Sequence, residues 1–178
     1  MNIQTITLVA ALIAAITSIG NVYFNYLSAT SLERQKWDKA REDELKKNLR
    51  LALADFSREL ATGVQRATWL LWIAENNPSS FSEKDLSTYD EEMRAILPRF
   101  FTARVMVAAH DIATYERLSD LTSRLYKLDS DIAVAGQQFR QSRKDGLKAL
   151  QLLYREAQQL HPRLPDELAK VISLPPAK

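Results

Sequence analysis

His110 and His161 are the two imidazoles in a chain of 178 residues that contains no cysteine. Each follows an arginine six positions earlier. Arg104 precedes His110 in RVMVAAH, and Arg155 precedes His161 in REAQQLH. An arginine grips a phosphate with a fork of donors, and a neighbouring histidine can move a proton near neutral pH. Arg155 with His161, and more weakly Arg104 with His110, are therefore the candidates for phosphodiester chemistry. Each pair also has a structural explanation. His110 stands among Val105, Val107, Ala108 and Ala109, as a core histidine would. His161 precedes Pro162 at an expected helix end, where a cation complements the helix dipole. No residue is committed to catalysis on this basis.

The composition narrows the chemistry further. Without cysteine, disulfide frameworks, thiolate metal sites and thiol nucleophiles are excluded. Two histidines make a multi-histidine metal site unsupported, so no metal and no cofactor is expected. The charge is balanced at +2, from 24 basic and 22 acidic side chains, which does not suit a dedicated nucleic-acid binder. Four glycines and 46% apolar residues rich in Leu and Ala favour helices over sandwiches, barrels or glycine-rich nucleotide folds.

The elements that would position these residues begin with an uncharged stretch. No charged side chain occurs from Met1 to Leu32. A helix of about 20 apolar residues crosses a bilayer core, and IQTITLVAALIAAITSIGNVYFNYL is long enough. A secretory signal would carry Lys or Arg before the apolar run, and none is present. Residues 1–30 thus read as a transmembrane span. Arg34, Lys36, Lys39, Arg41, Lys46, Lys47 and Arg50 follow it, so the positive-inside rule puts the N-terminus outside and the rest in the cytoplasm of a single-pass inner-membrane protein. At 100° per residue, Thr7, Ala10, Ala14, Thr17, Ser18, Asn21, Asn25 and Ser28 share one arc. Small and polar residues on one face of a lipid-embedded helix favour self-association, or line a wet pore.

Residues 31–50 read as a charged juxtamembrane stalk, with i,i+4 pairs such as Glu42–Lys46. Residues 51–172 read as a helical bundle, and residues 173–178 as a frayed tail. An apolar stripe of Leu45, Leu49, Phe56, Leu60, Val64, Ala67, Leu71 and Ala74 has helical steps, and Trp69, Leu70, Trp72 and Ile73 broaden it toward burial on several sides. Asn76-Asn77-Pro78-Ser79-Ser80 breaks the chain. Ser82 with Asp85, or Ser87 with Asp90, can cap the next helix. Pro98 should kink or interrupt it. Arg99–Asp111 reads as a central core segment. Leu118, Leu121, Leu125, Leu128, Ile132, Ala135 and Phe139 step by 3 and 4, a heptad seam between antiparallel neighbours. A turn at 142–146 leads to a last long helix ending at His161-Pro162, with a short helix at 166–172. The expected fold is all-α: an N-terminal transmembrane helix continuing into a cytoplasmic antiparallel bundle, with four principal helices.

An uncharged leader, a helical body of this length and an R-x4–6-H element near the C-terminus, here Arg155–His161, together resemble the small membrane-anchored HEPN-like accessory proteins of type VI-B CRISPR systems. The resemblance covers the chain in architecture and two residues in motif. It implies a homo-oligomeric membrane pore that assists an RNA-guided antiviral nuclease, with the bilayer, sister copies, and a cytoplasmic nuclease or RNA as partners. Two other functions fit the residues. One is a non-catalytic membrane scaffold tethering a cytoplasmic partner, motivated by the heptad seam and the stalk. The other is a HEPN-type ribonuclease.

Overall fold

The computed structural model describes the backbone of residues 3–173 and the side chains of residues 25, 28–159 and 162–171. Helix α1 spans Ile3–Asn76, α2 Glu83–His110, α3 Ile112–Arg117, α4 Ser119–Gln141 and α5 Arg143–Ser173. Among the described residues there is no strand. The chain divides into two compact units, residues 1–46 and 47–178, and α1 contributes to both.

The first unit is one stretch of α1. Its described side chains from Glu33 to Lys46 are all exposed, Trp37 and Leu45 among them. Glu42 and Lys46 form the i,i+4 ion pair that their spacing suggested. The expected transmembrane helix, and with it the single-pass inner-membrane placement, is corrected: among the described residues no helix is long and apolar enough to cross a membrane. The described part of this unit is dense in Lys, Arg, Asp and Glu, each of which costs about 2.5–3.5 kcal/mol or more at a bilayer centre. The side chains of residues 3–24, on which the span was read, lie outside the described residues.

The second unit is a helical bundle. From Lys47 onward α1 buries Phe56, Leu60, Val64, Ala67, Leu71 and Ala74, the expected stripe, although Leu45 lies before it on an exposed face. The chain reverses at residues 77–82. The Ser82 N–H and hydroxyl both donate to Asp85 Oδ2, each at 2.8 Å, and start α2. Helix α2 then runs antiparallel to α1, as the cross-links Arg66–Glu92 and Glu59–Arg99 require.

Prolines do not end the helices. Helix α2 continues through Pro98, and α5 through Pro162 and Pro165. An interior proline removes one hydrogen bond and costs about 3 kcal/mol. Ile96 and Phe100 are buried on either side of Pro98, and Leu164 and Leu168 lie buried beyond Pro162. Packing on both sides of each break holds the helix in register. The short helix expected at 166–172 is thus the end of α5. Among the described residues there are five helices where four principal ones were expected, because α3 is a separate turn between α2 and α4. Asp111 creates that break. It accepts from the Ala113 N–H at 3.0 Å and from the Thr114 hydroxyl at 2.6 Å, capping α3. The Thr114 hydroxyl, with the Ala113 and Thr114 amides and the charge of Arg117, holds the Asp111 carboxyl below its usual range.

Every member of the seam from Leu118 to Phe139 is buried. Helix α5 folds back along α4 after the single residue Ser142. Two ion pairs bridge them, Arg124–Glu167 and Lys127–Glu156, and their order confirms the antiparallel arrangement. A Cβ at Gly146 would collide with the Phe139 backbone, so only glycine admits this corner. At Gly63 an added Cβ would come 3.1 Å from Leu125 Cδ2, which marks the close approach of α1 to α4.

Candidate functional site

Arg104 and His110 are not brought together. Arg104 and His110 lie on one continuous helix. Six residues at 100° each leave them about 120° apart around its axis. The Arg104 guanidinium lies over the Tyr115 ring, with Cζ 4.6 Å from the centroid. Its Nε is buried and has no hydrogen-bond partner among the described residues. The stacking explains the arginine as a lid on α3. His110 is half-buried at the end of α2, so the core reading holds in part. Arg155 is exposed on α5. Position 161 is on the same helix, and the side chain of His161 lies outside the described residues. Among the described residues no group of three or more His, Asp and Glu could hold a metal ion. Of the polar N-terminal arc, Asn25 is exposed and Ser28 half-buried, accepting at its carbonyl from the Ser31 hydroxyl. Thr7, Ala10, Ala14, Thr17, Ser18 and Asn21 lie outside the described side chains.

A different surface gathers the unusual chemistry. Where α1 and α2 run side by side, a groove of about 630 Å3 opens between residues 48–59 and 98–106. Its walls are apolar, from Leu51, Ala52, Pro98, Ala103 and Met106. Leu51 and Met106 remain exposed, as do Phe101 and Val105 beside them. Arg99–Asp111 was expected to be core. Phe100, Ala103 and Val107 are core, while the rest of its large apolar side chains face outward.

The floor of this groove is charged. Glu59, 7% exposed, is the most buried acid in the bundle described here. Arg99 Nε reaches it from α2 at 3.1 Å and Arg58 Nε from α1 at 3.4 Å. Arg58 also pairs with Asp55 at 3.0 Å. The two guanidiniums give the buried carboxylate the hydrogen-bonded partners that burial of an acid requires. The pair therefore fixes the register of α2 on α1 rather than presenting a free reactive group.

Further along the same two helices a smaller cleft of about 130 Å3 lies among Arg66, Trp69, Ile73, Asp85, Thr88 and Glu92. Trp69 stacks on Trp72, with centroids 5.1 Å apart and planes 10° from parallel. Both indoles were expected to be buried. They are not: Trp69 is 56% exposed and Trp72 36%. They satisfy each other's faces instead of entering the core.

Behind this cleft the Tyr89 hydroxyl donates to Asp129 Oδ1 at 2.9 Å and ties α2 to α4. Burial, reinforced by the Asp129 charge, pushes the Tyr89 hydroxyl far above its usual range. Burial also raises Asp129, against the lowering effect of the Tyr89 hydrogen bond.

Sequence reasoning missed this face. One signal for it was present, the acid Glu59 set directly beside the stripe residues Phe56 and Leu60. Comparison with known proteins finds no matching family model, no similar curated protein and no similar solved structure.

Proposed function

We propose that the protein is a non-enzymatic helical scaffold that tethers a partner through the open face of α1 and α2. The observation that supports this reading is the exposed apolar groove at Leu51 and Met106, continued on the same face by the stacked Trp69 and Trp72. Exposed tryptophan and an apolar hollow rimmed with arginine, at the two ends of one face, match the composition of binding hot spots. The charged groups on this face are engaged in ion pairs with one another, which suits recognition better than proton transfer.

A photo-reactive residue placed at Leu51 or at Met106 tests the proposal in cells. Adducts formed from these positions, and absent from the exposed Gln137 on α4, are the expected result. Equal labelling from all three positions, or none, overturns it.

A further inference from the structure

The two clefts belong to one continuous surface. On α1 the positions Asn48, Ala52, Asp55, Glu59, Thr62, Arg66, Trp69 and Ile73 step by 3 and 4, so they form a single stripe. On α2 the positions Asp85, Thr88, Glu92, Ala95, Arg99, Thr102 and Met106 do the same. The groove occupies one end of this face and the tryptophans the other. From this we infer that the occupant of the face is a second copy of the chain, docked antiparallel about a two-fold axis. The inference rests on the binding reading above and names its partner.

The stripes are self-complementary when reversed. A two-fold axis that turns α2 against α2 near Ala95 sets Arg99 opposite Glu92 of the second copy. Turning α1 against α1 near Glu59 and Thr62 sets Asp55 opposite Arg66 of the second copy. Each pair joins opposite charges that already hold a partner within the chain, so docking would extend the existing ion pairs into a network, and symmetry makes each contact occur twice. The same reversal brings Trp69 of one copy over Ala52 and Leu51 of the other. An indole thereby enters the apolar groove that lies open in the single chain.

The two helices agree on where the axis falls. Within one chain, Glu59 meets Arg99 and Arg66 meets Glu92. That register places the midpoint of the α1 stripe about two residues, roughly 3 Å, from the midpoint of the α2 stripe. Nearest the axis, Thr62 on α1 and the exposed Ala95 on α2 are small, and Glu59 beside them is buried. Small residues at a crossing let helices approach closely. Large ones away from it, Trp69 and Met106, supply the apolar area that an isologous interface needs.

The absence of cysteine makes the test clean. Ala95→Cys in the full chain puts one thiol beside the axis, where it meets its own symmetry mate. Gln137→Cys, exposed on α4, is the comparison. The expected results are three. The chain sediments as a dimer, Ala95→Cys cross-links on mild oxidation or with a short bis-maleimide while Gln137→Cys does not, and Trp69→Ala weakens the dimer by about thirtyfold, as loss of a buried anchor does. Circular dichroism of each variant confirms that the bundle is retained.

A chain that stays monomeric at high micromolar concentration overturns the inference. So does a dimer that cross-links equally from both positions, or one that Trp69→Ala leaves unchanged. Failure here is separable from failure of the scaffold reading. Adducts from Leu51 to a different protein, with no Ala95→Cys cross-link, sink the self-pairing and leave the scaffold. No adduct and no cross-link sink both.

Discussion

The α4 seam and the α1–α2 face are both built from apolar residues at helical spacing, and they end in opposite states. From Leu118 to Phe139 each apolar position at steps of 3 and 4 is buried, and the intervals are mostly polar, with Val134 the exposed exception among the large aliphatic side chains. From Phe100 to Val107 the apolar residues run without that interval, and only every third or fourth is covered. A helix in a bundle hides a stripe, not its whole circumference. Periodicity therefore foretells burial, while apolar density beyond the stripe foretells surface that another body must cover.

Neighbouring residues make the comparison measurable. Phe100 is fully buried, against Phe56 and Tyr126, while Phe101 is 57% exposed. Phe100→Ala is expected to cost about 3–5 kcal/mol in chemical denaturation, as removal of a core aromatic does. An equal, small effect at both positions would erase the distinction between core stripe and open face.

The ion pair at the groove floor comes next. Glu59→Gln keeps the shape and removes the charge that Arg58 and Arg99 surround. Because both arginine heads reach water, the expected loss is about 1–2 kcal/mol rather than the full penalty of a broken buried pair. A gain in stability would mean that the pair holds register at a net cost.

Tyr89→Phe removes the hydroxyl that donates to Asp129. The expected loss is about 1 kcal/mol at neutral pH, with the Asp129 carboxyl titrating higher in NMR than in the parent. The sign of the pH dependence follows from burial. The folded carboxyl of Asp129 lies above its unfolded value, so its ionised form opposes folding at neutral pH. That opposition is relieved as pH falls through the folded value toward the ordinary one near 4. Asp111 acts in reverse. Its folded value is lowered, so its contribution is present above the ordinary value and is lost as pH falls through the folded one. Denaturation followed between pH 3 and 7 in Tyr89→Phe and Thr114→Val separates the two.

The smallest effect belongs to the exposed side. Phe101→Ser is expected to change monomer stability by no more than about 0.5 kcal/mol. A loss comparable with that of Phe100→Ala would place Phe101 in the core after all.

Much of the bundle was legible in advance. The turn at 77–80, the Ser82–Asp85 cap, the α1 stripe from Phe56 to Ala74 and the whole α4 seam follow from local spacing and cap chemistry. Three kinds of feature were not. Proline was given too much weight at 98 and 162, because tertiary packing on both sides of a break is invisible to local rules. The tryptophans were assigned to the core by hydropathy, although each can cover the other's face at the surface. The open face itself depends on which positions of α1 and α2 come side by side, and that register is set by the Glu59–Arg99 and Arg66–Glu92 cross-links rather than by either helix alone. Arg104 and His110 stay apart for a simpler reason. Six residues is a poor spacing on an unbroken helix, and Arg104 already has an occupation over Tyr115.

The single-residue corner at Ser142, with Gly146 behind it, has a kinetic consequence. Contacts across α4 and α5 join residues close in the chain, so forming them closes only a short loop, whereas docking α1 onto α4 closes a far longer one. The α1–α2 hairpin, tied by Arg66–Glu92, is as local as the α4–α5 hairpin, tied by Lys127–Glu156, so each forms early and the docking of one on the other comes last. Newly synthesised chains should therefore hold α1 against α2 before α4 and α5 have left the ribosome, and the approach of Gly63 to Leu125 should be among the last contacts made.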